Sequence, residues 1–404
     1  MFYTETEVME FVQDNDVKFI RLAFCDIFGA QKNIAIMPSE LQRAFQEGFP
    51  FDATAVKGFE SAKGDLLLFP DPTTFSFLPW RPDTGKVIRM FCNIYNRDKT
   101  PFALDSRHIL KQATAKARQA GVTCNIGVNC EFYLFRTDEN GDPTGIPLDN
   151  AGYFDIAPED KGENIRREIC LSLESMGICP ESSHHEEGPG QNEIDFKYSD
   201  PLSSADNVTA FKVAVTTLAA RNGLYASFGP KPIPNKNGNG FHINVSPDMF
   251  VPEDGYFDDF MAGIMNRITE MTLFLNPGAE SYRRLGGPKA PKYISWSREN
   301  RSHLMRVPET EKKPFIELRS PDPLTNPYIA YALILHAGLE GIRCKTPLSR
   351  PYEVSPEELF QEEQKTLPAL PKTLQEAAEI AKNSEFLKSI LPQELIAAYQ
   401  DRRK

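Results

Sequence analysis

An α+β fold is the class this sequence predicts, and three observations predict it. Four short segments place polar side chains on alternate positions of otherwise apolar runs. Several longer segments carry helical spacing with start and stop signals. The two kinds mix without the strict alternation of a doubly wound parallel sheet. The strand-like segments are Asn129–Phe135, Gln191–Phe196, Phe241–Ser246 and Phe315–Arg319. Successive strand side chains point to opposite faces. Asn129 therefore shares a face with Glu131, Glu193 with Asp195, His242 with Asn244 and Ser246, and Glu317 with Arg319. The opposite faces carry Phe132, Leu134, Ile194, Phe196, Ile243, Val245, Ile316 and Leu318. One sheet can thus turn carboxylates, an imidazole and a guanidinium to one side and keep its back in the core. Buried carboxylates are costly unless cations or hydrogen bonds compensate. Such a face reads as a funnel for a divalent metal and an anionic ligand.

Taken in order, residues 1–98 form a small strand-rich unit and residues 99–404 the larger remainder. Val17–Phe24 and Lys86–Tyr95 alternate in part and are rich in strand formers. Pro38–Phe45 reads as a short capped helix, and the proline-rich stretch from Phe69 to Asp83 breaks any regular element. A long helix follows Ser106 and ends near Gly121. The next spans Asn164–Met176, with Asn164 as its cap and Gly177 as its stop. Further helices fit Ser204 to Asn222, Tyr256–Leu275, Pro327–Ile342 and three shorter pieces after Pro356. There is no internal repeat and no low-complexity tract.

Composition narrows the function classes. The chain has 404 residues, 41% apolar and 25% charged, as an ordinary globular protein does. Its net charge of −11 argues against nucleic acid or an anionic membrane surface as partner. Seven scattered cysteines without a Cys-x-x-Cys pair read as reduced thiols. Acidic residues occupy the N-terminus where a secretory signal needs basic ones. No apolar run reaches the roughly 20 residues needed to span a bilayer. The expected compartment is the cytoplasm. Gly85-Lys86 is no P-loop, because Trp80 and Val87 stand at the positions that need glycine and Ser or Thr.

The motifs point to one family when read together. Gly127-Val128-Asn129-Cys130-Glu131, His184-His185-Glu186-Glu187-Gly188-Pro189-Gly190-Gln191-Asn192-Glu193 and Asn237-Gly238-Asn239-Gly240-Phe241-His242 occur in that order. Asn300-Arg301, Arg306, Ile316-Glu317-Leu318-Arg319-Ser320-Pro321-Asp322-Pro323 and Asn326-Pro327 follow. Together they resemble class I of the glutamine synthetase family, over nearly the whole chain. The resemblance implies an N-terminal β-grasp domain and a catalytic domain with an antiparallel, funnel-forming sheet. It implies rings with active sites between subunits, binding glutamate, ATP and an amine. The implied chemistry is phosphoryl transfer from ATP to the glutamate γ-carboxylate, then amine attack on the acyl phosphate. Mg²⁺ or Mn²⁺ ions would neutralise the phosphates, which is why oxygen ligands dominate.

Carried over position by position, Glu131, Glu186 and Glu193 match ligands of the metal near glutamate. His242, Glu317 and Asn129 fall at ligand positions of the metal near ATP. Arg284 and Arg319 match the arginines that hold the substrate carboxylate, a role for a planar fork. Arg301 and Arg306 match those on the phosphate side. Asn237 and Gly238 fall where the substrate amino acid is touched, and Tyr198, Ser246 and Arg306 where the nucleotide lies. Asp52 and Tyr153 match the ammonium pocket. With Arg301, Arg306 and the flap residue Lys289, Asp52 completes the catalytic candidates.

Four positions depart from the pattern. Asn129 stands for a glutamate, Asn244 for the second histidine of His-x-His, and Ala55 for a serine of the ammonium pocket. The flap Arg284–Pro291 is one residue short, and Lys289 stands for the glutamate that closes the site. A cation repels ammonium where a carboxylate would attract it. Ammonia use is therefore expected to be poor and another amine to be the acceptor. A locally re-solved glutamine synthetase and a non-catalytic sensor or regulatory subunit are the alternatives. Read as structure alone, the same carboxylates are an ion-pair network with Arg301, Arg306 and Arg319, and Lys289 a solvated loop charge. His184 and His185 read as packing and hydrogen-bonding residues rather than ligands, and Cys92 and Cys130 as small buried hydrophobes. Family members commonly continue beyond the segment closing with Tyr399–Lys404, so weaker ring stacking is expected.

Overall fold

The computed structural model describes residues 3–401 apart from 82–83, 252, 310–312 and 360. The end of the proline-rich stretch at Pro82-Asp83 and the terminal residues 1–2 and 402–404 lie outside it.

Two sheets organise the chain. The first contains β1 (Val17–Cys25), β2 (Gln31–Ile36), β3 (Phe49–Phe51), β4 (Leu66–Pro70), β5 (Ser76–Phe77) and β6 (Lys86–Tyr95). Its order is β2-β1-β6-β4-β3, with β5 on β6, and β1 runs parallel to β6. The second contains β7 (Val122–Thr137), β8 (Pro143–Pro147), β9 (Pro180–His185), β10 (Gln191–Ser199), β11 (Leu224–Ser227) and β12 (Phe241–Met249). It is completed by β13 (Trp296–Ser297), β14 (Met305–Arg306) and β15 (Ile316–Leu318). Its main path is β13-β14-β15-β12-β7-β10-β9. Strands β15, β12, β7, β10 and β9 pair antiparallel, as expected of the funnel. The edge corrects that expectation, because β13 and β14 are parallel and the sheet is mixed.

The helices are α1 (Glu5–Asp14), α2 (Leu41–Glu47), α3 (Ser106–Gln119), α4 (Glu163–Ser175), α5 (Pro201–Arg221) and α6 (Tyr256–Leu275). They continue with α7 (Ser281–Arg284), α8 (Pro327–Cys344), α9 (Gln361–Thr366), α10 (Leu374–Asn383), α11 (Glu385–Lys388) and α12 (Gln393–Asp401). Several starts differ from the sequence reading because other residues cap. Asp105 caps α3 through the Arg107 amide, Gly162 rather than Asn164 precedes α4, and Asp200 opens α5 ahead of Pro201. The proline-rich stretch is not wholly irregular: Asp71 caps a 3-10 turn at Pro72–Thr74, and β5 follows. Among the described residues, four α-helical pieces rather than three follow Pro356. Helix α1, which the sequence reading passed over, is held by a Thr4–Glu7 capping box.

The apolar back of β7 packs on α3 and α5, that of β10 on α5, and α8 packs on both helices; the aliphatic and aromatic residues on the backs of β7, β10, β12 and β15 are buried. Cys130 on β7 and Cys92 on β6 are buried as well. Helices α6 and α8 approach closely: a Cβ on Gly263 would lie 2.2 Å from the Ala337 carbonyl, one on Gly341 2.0 Å from that of Asp259. A buried ion cluster joins the two sheets. Arg107 on α3 donates to Asp71 after β4, to Asn93 on β6 and through two nitrogens to Asp206 on α5. Among the described residues no helix is long and apolar enough to cross a membrane.

Candidate active site

Register brings the polar positions of four strands to one face. Glu131 lies opposite Glu193 and Asn129 opposite Asp195 across β7 and β10. His242 lies opposite Asn129 across β7 and β12, Asn244 opposite Glu317 across β12 and β15, and Arg306 opposite Glu317 across β14 and β15. Directly opposed residues have Cβ atoms about 4.5–5.5 Å apart. The face forms the floor of a cavity of about 590 Å³. Of the residues expected at the site, Asn129, Glu131, Tyr153, Glu186, Glu193, Tyr198, Asn237, Gly238 and His242 line it. Ser246, Arg284, Lys289, Arg301, Arg306, Glu317 and Arg319 line it too. Asp52 does not. It caps a 3-10 turn, accepts from the Thr54 amide and hydroxyl, and is exposed on the first sheet's side.

At one end the floor is acidic and buried. Burial raises the Glu131 carboxyl to about 7, with help from the charge of Glu186. Burial and the charges of Asp195, Glu131 and Glu186 push Glu193 far above the usual carboxylate range. Such a cluster lacks positive charge, and a hard dication supplies it. Backbone and side-chain donors orient the ligands: Gln191 Nε2 and the Gly240 amide each donate to Glu131 Oε2 at 2.9 Å. A Cβ on Gly240 would lie 2.5 Å from His242 Nε2 and 2.9 Å from Glu131 Oε1, so any larger residue there displaces one or both side chains. Glu131, Glu186 and Glu193 line this end of the cavity, while the His, Cys and carboxylate groups whose ligand atoms lie within 4.8 Å of one another among the described residues are His184 with Glu193 and Asp195, and Asp149 with Asp160 and His185.

The rest of the acidic rim is structural support. His185 places Nδ1 2.6 Å from the Glu186 carbonyl and Nε2 3.0 Å from Asp149 Oδ1. Both partners only accept, so the ring is an imidazolium that fixes the Glu186 backbone. Asp149 and Asp160 beside it spend their oxygens on backbone amides and Arg166. His184 makes a hydrogen bond of the kind expected, its Nε2 lying 3.1 Å from Glu186 Oε1, and it also groups with Glu193 and Asp195.

The other end is cationic. Both oxygens of Glu317 are held, one by Arg306 Nε and one by Arg319 Nη1. Burial alone would raise Glu317, yet Arg319 and Arg306 hold it below the usual range. Burial and the same arginines lower His242 well below a free histidine, which keeps its ring neutral. Arg319 also donates through Nε to the Arg301 carbonyl at 2.8 Å and through Nη2 to the Lys289 carbonyl at 3.4 Å. Arg284, buried on α7, is aimed by the carbonyls of Ser320 and Arg319. The Tyr198 ring covers Gly127 and meets Phe315 edge-on at 5.9 Å, beside Ser246.

Lys289 points inward. Its Nζ pairs with Glu187 and sits 4.8 Å above the Tyr153 ring, itself stacked on Phe154. Glu187 also accepts from Asn237 Nδ2, so the segments carrying Lys289 and Asn237 meet at one carboxylate. Asn129, expected as a metal ligand, lines the cavity, and its Oδ1 accepts from Asn244 Nδ2 at 2.7 Å, which leaves that oxygen one lone pair. Asp195 and Glu187 were not among the expected site residues. The alternation already put Asp195 on the right face, whereas Glu187 lies in a turn, where no periodicity marks it.

Comparison with known proteins agrees with this geometry. The family described as "Glutamine synthetase, catalytic domain" matches residues 103–404, and "Glutamine synthetase, beta-Grasp domain" matches residues 16–97. Glutamine synthetase of Clostridium saccharobutylicum is 44% identical, covering 98% of this chain and 93% of that protein. That of Methanosarcina mazei is 42% identical, covering 98% and 92%. A solved structure titled "GmaS/ADP complex-Conformation 1" superposes with a TM-score of 0.89 at 26% identity, covering 98% of this chain and 95% of that one. Plasmodium falciparum glutamine synthetase gives 0.85 at 23% identity, covering 99% and 95%, a likeness of fold.

Proposed function

Because the chain belongs to the glutamine synthetase family and is an ATP-dependent glutamate ligase of that type, we propose that it activates the glutamate γ-carboxylate as an acyl phosphate and passes it to an amine. The observation that carries this reading is the polarity of the cavity, three carboxylates at one end and four arginines around the other. We take it as a class I member, with residues 1–98 as the β-grasp domain and 99–404 as the catalytic domain.

The chain's own residues suit the roles. Arg284 and Arg319 would bind the carboxylates of the amino acid, because a planar guanidinium pairs with them bidentately. Arg301 and Arg306 would stabilise charge on the transferred phosphoryl group. Tyr198 and Phe315 offer an aromatic edge to a nucleotide base, in keeping with the ADP named for the GmaS structure. A divalent cation held by Glu131, Glu186 and Glu193 would supply Lewis acidity toward phosphate and acyl oxygens. The family binds glutamate and ATP and forms oligomers. On this reading Asp52 serves a cavity only across an interface between two copies of the chain.

We further infer that the preferred acceptor is not ammonium. The Lys289 ammonium on Tyr153 stands where a carboxylate would draw in free ammonium, so a neutral or larger amine is favoured over ammonium. Phosphate release from ATP with glutamate, run against ammonium and a panel of primary amines with products identified by mass spectrometry, tests the proposal. Turnover with one amine names the acceptor. Nucleotide binding without turnover on any amine overturns the ligase assignment in favour of a sensor.

A further inference from the structure

The loop 237–240 runs into β12 and is held by two residues that do not themselves line the cavity, Tyr133 and Glu187. Tyr133 continues along β7 the face of Asn129 and Glu131. It is buried, and its hydroxyl donates to the Asn237 carbonyl at 2.7 Å. Gly188 makes room for that hydroxyl, since a Cβ there would lie 2.0 Å from the Tyr133 oxygen. Glu187 grips the same residue by its side chain, accepting from Asn237 Nδ2 through one oxygen and holding Lys289 Nζ with the other. The rest of the loop is tied down as well. Gln191 Nε2 donates to the Gly238 carbonyl at 3.2 Å, and the Asn239 amide to the Pro230 carbonyl at 2.9 Å.

A carboxylate paired with a lysine accepts and does not donate, so the Asn237 amide turns its nitrogen to Glu187 and its oxygen away. Among the described residues no group donates to Asn237 Oδ1, and Asn237 lines the cavity. The next residue, Gly238, lies against Arg284, where a Cβ would come 2.8 Å from Arg284 Cγ. An amide oxygen open to a donor is thus one residue from a glycine packed on a guanidinium side chain. An α-amino acid carries the complementary pair, an ammonium and a carboxylate.

We propose that Tyr133 and Glu187 are positioning residues for the amino acid substrate, an inference that rests on the glutamate ligase reading. Tyr133 fixes the place of the loop through the Asn237 backbone. Glu187 fixes the rotation of the Asn237 amide, so that its oxygen meets the substrate ammonium. Both act through Asn237. Lys289 takes part by holding Glu187, so the flap and the amino acid loop are set together.

Steady-state hydroxamate formation by the full-length protein, with Mg²⁺, ATP, glutamate and hydroxylamine, tests it. Tyr133→Phe removes one hydroxyl and leaves the buried Asn237 carbonyl without its donor, which should raise the KM for glutamate by about tenfold. Glu187→Met, at an exposed position, frees the Asn237 amide to rotate and should raise it by about 3- to 10-fold. In both, the KM for ATP should stay within about twofold, which a general loosening of the fold would not allow. A glutamate KM within about twofold of the unmodified value in Glu187→Met, or equal rises for glutamate and ATP in both variants, would overturn the proposal. Absence of hydroxamate from the unmodified protein would instead overturn the ligase reading, and this inference with it.

Discussion

Removing the charge of Lys289 should restore ammonium as a substrate, and the size of the effect follows from position. An ammonium ion sharing the Tyr153 site with Nζ, which sits 4.8 Å above that ring, would lie about 5 Å from it. Two unit charges about 5 Å apart repel by about 3 kcal/mol at an effective dielectric of about 20, and by less than about 1 kcal/mol in water. The Lys289 side chain is 42% exposed, so solvent screens it and about 1–2 kcal/mol is the reasonable span. Lys289→Met should then lower the KM for ammonium by about 5- to 30-fold. Lys289→Glu should do at least as much, although it faces Glu187 and pushes that carboxyl upward. The assay compares kcat/KM for ammonium with that for hydroxylamine, which is uncharged at neutral pH and feels little of the repulsion. A ratio of the two that changes by less than about twofold in both variants would refute the electrostatic argument.

Other consequences are open to the same kind of check. Glu131 titrates near 7 in the folded protein against 4.5 for a free carboxyl, so the metal-free protein should lose stability as pH rises between those values. Mn²⁺ should restore it, and the thermal shift it produces should grow with pH; a larger shift at acid pH would contradict the assignment. Gly240→Ala forces a Cβ against His242 Nε2 and Glu131 Oε1 and should weaken Mn²⁺ binding by about tenfold or more, measured by calorimetry. Arg107→Met strands the buried Asp71 and Asp206 carboxylates and should cost about 3–5 kcal/mol, read from the urea midpoint.

Much of the site was legible because strand alternation is a local rule. Asn129, Glu131, Glu193, Asp195, His242, Asn244, Glu317 and Arg319 could be assigned to faces from their neighbours alone, and the register joins those faces. Motif order supplied the residues off the strands, such as Glu186, Arg284 and Arg301. What alternation cannot carry is pairing over distance. Nothing near Asn129 announces that Asn244, 115 residues away, will take its oxygen. Nothing near Lys289 names Glu187 as its partner. Helix starts failed for a smaller reason, since Asp105 and Asp200 out-compete the later candidates for orphan amides. The parallel edge pair β13–β14 is two residues per strand, too short for any period to register.

Arg319 ties three segments through one planar group: the carboxylate of Glu317, the carbonyl of Arg301 and the carbonyl of Lys289. A guanidinium has five N–H donors, so these three contacts leave N–H groups that an arriving carboxylate could claim while all three persist. The weakest of the three, at 3.4 Å, is the flap. A carboxylate bound to the remaining donors would join the floor strand, the Arg301 turn and the Lys289 loop through one side chain.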